Sequence, residues 1–157
     1  MYLLVLLFGM FTSYFLIALI LSKLLLIKLK FDPRRIVISI SIILIFTIIS
    51  YLVAMNISDR EFANRFQHAL AGGFNIVLVI FLVKRDFKIC LTWFQFVIIS
   101  ILLVGFFGIC NEILEYFMQV YFHIIFAPNA IDTWLDLISN FAGAVLGILT
   151  FGFFTKD

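Results

Sequence analysis

Charged side chains are scarce in this sequence. Asp, Glu, Lys and Arg make up 13% of its 157 residues, where an ordinary soluble domain carries about 25%. Proline and cysteine occur twice each and glycine eight times. That little proline and glycine excludes a collagen-like fibre. Two cysteines are too few for a disulfide-stapled secreted module. Cys90 and Cys110 lie in one apolar stretch, about 30 Å apart along a helix, and cannot bond to each other. The net charge of +2 offers no broad basic surface, so no nucleic-acid partner is expected. No internal repeat, low-complexity tract or linker is present. P-loop, nucleophile-elbow and His-Glu-x-x-His motifs are also missing.

Apolar side chains are abundant instead. The chain is 65% hydrophobic and 18% aromatic, with a mean hydropathy of +1.23. Such a composition excludes a disordered chain and fits a polytopic membrane protein. At about 20 residues per span, the length allows a single domain of five spans. The expected fold is all-α, a bundle of five transmembrane helices over about residues 2–27, 36–55, 67–83, 89–120 and 134–154. Pro33 and Pro128 punctuate the first and last loops. The first stretch has no basic n-region or small-x-small cleavage site, and is expected to be a retained span. About 32 helical residues in the fourth span would reach roughly 48 Å. That span either projects from the membrane or breaks near Gly105-Phe106-Phe107-Gly108.

Basic residues set the expected orientation. Lys23, Lys28, Lys30, Arg34 and Arg35 gather at the first loop, Lys84, Arg85 and Lys88 at the third, and Lys156 in the tail. The positive-inside rule makes that side cytoplasmic, with the N-terminus outside and the C-terminus inside. The chain is thus expected to be a multi-pass protein of the cell membrane. The remaining polar groups then fall at the outer face. Asp59, Arg60, Glu61, Arg65 and His68 belong to the second loop and the start of span three. Glu112, Glu115 and Gln119 end span four. Asp132, Asp136 and Asn140 open span five. Helical spacing puts Arg65, His68, Gly72 and Asn75 on one stripe, with Gly108, Glu112, Glu115 and Gln119 on a second. Asp132, Asp136, Asn140, Gly143 and Gly147 form a third, and Gly143-x-x-x-Gly147 suits close helix contact. An ionisable group at membrane depth costs on the order of 2.5–3.5 kcal/mol. These stripes are therefore expected to pack together around an outward polar cleft.

Asn111-Glu112-Ile113-Leu114-Glu115-Tyr116, followed by Asp132-Thr133-Trp134-Leu135-Asp136 through Asn140, Gly143-Ala144 and Gly147, resembles the VanZ-like membrane proteins. It is also similar to the YjdF-type inner-membrane family, which the doubled acid and the Asp-x-x-x-Asp spacing match more closely. His68 looks like the families' histidine at the start of an earlier span. The likeness covers roughly residues 59–150. It implies a role in the cell envelope and carries no settled activity with it.

The expected chemistry follows from residue type. His68, Glu112, Glu115 and Asp136 are the candidates for a divalent cation, or for acid–base catalysis if no metal is bound. Arg65 and His68 are expected to contact an anion, with Asp132, Asn140 and Gln119 as further binding groups. The expected ligand is a membrane lipid or a lipid-linked envelope precursor with an anionic head group. Asp136 also fits a capping box with Thr133, and Asp132 an N-cap. Whether the site is catalytic stays open at this level. The alternative is a non-catalytic scaffold, self-associating or paired with a membrane subunit, in which the same residues lock the helices by ion pairs. A proton-coupled transporter ranks last, because spans three to five offer few polar residues on the inward half.

Overall fold

The computed structural model describes residues 2–26, 28–123 and 130–155. Pro128, Lys156 and the expected end of span one at Ile27 lie outside them. Outside its short loops the described chain is helical, with no strand among the described residues. Its elements are α1 (Tyr2–Leu24), α2 (Pro33–Met55), α3 (Arg60–Gln67), a π-helical segment (His68–Phe74), α4 (Asn75–Asp86), α5 (Trp93–Phe122), α6 (Ala130–Phe151) and a closing 3₁₀ turn (Gly152–Thr155). Five stretches are long and apolar enough to cross a membrane: Leu3–Leu24, Pro33–Met55, Arg60–Asp86, Trp93–Phe122 and Ile131–Thr155.

Local chemistry explains where these helices start. Pro33 occupies the first turn of α2, where its missing N–H costs nothing, and Asp32 caps it by accepting from the Arg35 N–H. Thr92 and Gln95 form a reciprocal capping box at α5, with bonds of 2.9 and 3.3 Å. Asp59 caps α3 by accepting from the Glu61 and Phe62 N–H groups. The third span therefore begins seven residues before the expected 67, and Arg65 stands inside a helix rather than in a loop. Helix α5 is continuous through Gly105–Gly108. Its 30 residues reach about 45 Å, longer than a hydrocarbon core of about 30 Å.

The third span is the centre of the bundle. It is 61% buried, against 22–33% for the other four. Ile76, Val77, Leu78, Val79 and Ile80 are all enclosed, so this helix is apolar around its whole circumference. The α1–α2 pair packs on one side of it, and the α5–α6 pair on the other. Phe46 stacks on Phe74 and Phe81 on Phe151 across these contacts. The outer surfaces of the flanking helices carry Leu4, Phe8, Ile45, Leu102, Phe106 and Leu146, as lipid-facing surfaces require.

The end of the bundle where α4 closes also contains a buried polar knot. The Asp86 carboxylate at the end of α4 is fully enclosed and accepts from Tyr14 Oη of α1 at 2.7 Å. Ser39 Oγ of α2 donates to the same oxygen, and Arg85 Nε and Nη2 reach the other at 3.1 and 3.0 Å. One acid thus ties three spans together. Hydrogen bonds to a buried charge are worth about 1.5–3 kcal/mol. Tyr14→Phe, which keeps the ring and removes the donor, is expected to cost about 2 kcal/mol of stability in a detergent unfolding titration. A loss below a few tenths would show that the knot is not loaded.

Candidate functional site

The π segment and α6 meet backbone to backbone. A Cβ added to Gly73 would sit 1.9 Å from the Asn140 carbonyl oxygen, and one added to Gly143 1.8 Å from that of Ala69. A Cβ added to Gly147 would sit 2.8 Å from that of Val77. This seam carries Arg65, His68, Asp132, Asp136 and Asn140 into one neighbourhood at one end of the bundle.

There the polar residues divide into two groups. The first is an ion-pair clamp. The Arg65 guanidinium straddles α6, with Nη2 paired to Asp132 Oδ1 and Nη1 to Asp136 Oδ1. Asn64 Nδ2 reaches the same Asp136 oxygen at 3.0 Å, and His68 Nε2 lies 3.4 Å from Oδ2. Asp136 is 1% exposed and engaged on both oxygens. The capping roles expected for the two aspartates do not arise. Helix α6 starts at Ala130, so Asp132 sits inside the first turn and Asp136 beyond it. Asp132 there is well placed against the helix dipole.

The second group is open. His68, Glu112 and Glu115 each present a ligand atom, and these atoms all lie within 4.8 Å of one another. Asn111 Nδ2 donates to Glu115 Oε1 at 2.7 Å. Glu112 Oε1 is buried and has no hydrogen-bond partner. Asp136 is not part of this cluster, although it was expected among the cation ligands: the clamp has taken it. Gln119 lies one turn beyond Glu115, and no hydrogen bond ties it to the cluster.

A cleft of about 270 Å³ adjoins the open group. Val5, Leu6 and Met10 of α1 form one wall, and Val104, Phe107 and Leu114 of α5 the other. Thr12 and Ser13 of α1, with Gln67, His68, Asn111 and Asn140, supply its polar side chains. The cleft runs between α1 and α5, whose described Cα atoms stay more than 8 Å apart. Asn140 is wedged between Gly72 and Gly108 and is 5% exposed, yet its Oδ1 is unpartnered, as is the buried Gln67 Nε2. Asn140 was expected as a binding group, and none of the described residues offers its Oδ1 a hydrogen bond. Gln67 and Asn111 were not expected at the site. Their positions beside His68 and Glu112 are the signal that was available.

No protein-family model, curated protein or solved structure matches the chain. The functional reading therefore rests on the site itself. A buried polar atom without a partner normally finds one in water, an ion or a ligand. Two of them, on Gln67 and Asn140, line one cleft here, and a third, on Glu112, belongs to the residue after Asn111 of that lining. Two carboxylates and an imidazole form an oxygen-rich donor set suited to a hard or borderline divalent cation such as Mn²⁺.

Proposed function

We propose that this multi-pass membrane protein binds an amphiphile that enters sideways from the bilayer. Its acyl chain lies between α1 and α5, and its head group meets Gln67, His68, Asn111 and Asn140. Arg65 is spent on two aspartates, so an anionic head group would be held through a divalent cation on His68, Glu112 and Glu115. The observation that carries this reading is the pair of orphaned buried atoms Gln67 Nε2 and Asn140 Oδ1 on a largely apolar cleft between helices of two different pairs, with orphaned Glu112 Oε1 in the adjoining acid–histidine cluster. The likeness to VanZ-like proteins and the distribution of Lys and Arg support a place in the cell envelope with this end outward.

The test uses purified protein in detergent with MnCl₂. Wild type is expected to bind Mn²⁺ by electron paramagnetic resonance, and the Glu112→Gln/Glu115→Gln double variant to lose that signal with its melting temperature held. Retention of the signal in the double variant overturns the cation site. A second variant probes the cleft. Gly9 lines it, and an added Cβ there meets nothing within 4 Å. Gly9→Phe is expected to fill the cleft, lower co-purification of lipid and leave Mn²⁺ binding intact. Unchanged lipid content would remove the lateral entry from the proposal.

A second reading is favoured by the Arg65 clamp: a scaffold in which polar contacts only fasten helices. Under it, the Glu112→Gln/Glu115→Gln variant shifts the melting temperature and wild type binds no Mn²⁺.

A further inference from the structure

We infer a second ligand site at the opposite, basic end of the bundle: a pocket that recognises a phosphate group with Lys28, Lys30, Arg35 and Lys88. These four side chains line a cavity of about 380 Å³ where the loop before α2 meets the loop after α4. Phe31 and Phe87, in edge contact with centroids 5.7 Å apart, brace its wall. Two acids also line it, and both are already committed. Asp32 pairs with Arg35 at 3.2 Å and caps α2. Asp86 is engaged by Tyr14, Ser39 and Arg85. Lys28, Lys30 and Lys88 form no ion pair among the described residues. Three unpaired ammonium groups thus share one concavity whose two acids are already paired with arginines, which favours a compact multivalent anion.

The backbone at Lys88 points the same way. Its φ is 54°, in the left-handed region. It occupies the position that ends a helix where glycine is the usual residue, with the Ile89 N–H closing onto the Lys84 carbonyl at 2.9 Å. Glycine would relax this turn, and lysine holds a charge at the pocket in spite of the strain. The matching chemistry is a phosphate monoester, which carries up to two negative charges. It could be supplied by an anionic lipid head group at that face or by a soluble phosphate.

The test measures retention of phosphatidic acid against phosphatidylcholine by native mass spectrometry of the full chain in detergent. EDTA is included so that no cation-bridged head group at the other end contributes. Wild type is expected to prefer phosphatidic acid. Lys88→Gly and Lys30→Gln should each lower that preference about fivefold, with the melting temperature of Lys88→Gly no lower than wild type. Arg34→Gln, a neighbouring cation outside the pocket lining, should leave it unchanged. Competition by inorganic phosphate identifies a soluble anion as sufficient. Lipid retention that phosphate does not displace identifies the head group of a lipid. Both outcomes support the pocket. It is overturned if wild type shows no preference, or if Arg34→Gln falls as far as Lys88→Gly.

Discussion

Gly143→Ala is expected to cost at least about 3 kcal/mol of stability, at the upper end of the usual penalty for overpacking. The reason is what the new methyl group would strike. It would sit 1.8 Å from the Ala69 oxygen, 2.6 Å from its carbonyl carbon and 2.9 Å from the Phe74 nitrogen. All three are backbone atoms, which cannot swing aside as a side-chain end can. The seam between the π segment and α6 would have to open along its length. Gly105→Ala is the internal control. Nothing lies within 4 Å of an added Cβ there, and alanine is the better helix former by about 1 kcal/mol. Unfolding midpoints in mixed micelles compare the two. Equal midpoints would mean that the close approach does not hold in the folded protein. Separation of the seam would also pull Arg65 away from Asp132 and Asp136, so the clamp should fail with it.

The five spans were legible because about 20 apolar residues between charges leave little choice of structure. The start of the third span was not, because Arg60–Gln67 is too polar to register as membrane-spanning. Asp59, with Glu61 in the following turn, was the signal for a helix start there. The outer polar stripes were also legible, each from its own helix. Which acid takes which partner was not. Arg65 and Asp136 are 71 residues apart, and their meeting is set by how closely Gly73 and Gly143 let two backbones approach. That distance divides the carboxylates, leaving Asp136 in a clamp and Glu112 and Glu115 free of it. The end that holds Asp86 shows the opposite failure. Asp86 stands between Arg85 and Phe87-Lys88 and reads as one more loop charge. Its burial depends on Tyr14 and Ser39, which carry no sign of an ionised partner. The lysines of the first and third loops were read for their sum of charge, and their convergence on one cavity needed the packing of α1, α2 and α4.

Asp136→Ala is expected to be the most damaging single change in the outer cluster, at about 3–5 kcal/mol, the cost of breaking a buried ion pair from one side. It strands Asn64, His68 and half of the Arg65 guanidinium at a place where Asp136 itself is 1% exposed. Asp132→Ala should cost clearly less, because Asp132 is 13% exposed and water can replace it. A double-mutant cycle isolates the clamp. Buried pairs replaced on both sides by apolar groups are often neutral. Arg65→Met combined with Asp136→Leu should therefore lose much less than the sum of the two single changes. Strict additivity would show that Arg65 and Asp136 do not depend on each other. The same double variant separates fastening from binding. His68, Glu112 and Glu115 remain, so Mn²⁺ should still bind wherever the variant folds. Loss of Mn²⁺ from a folded Arg65→Met/Asp136→Leu protein would mean that clamp and cation site are a single unit.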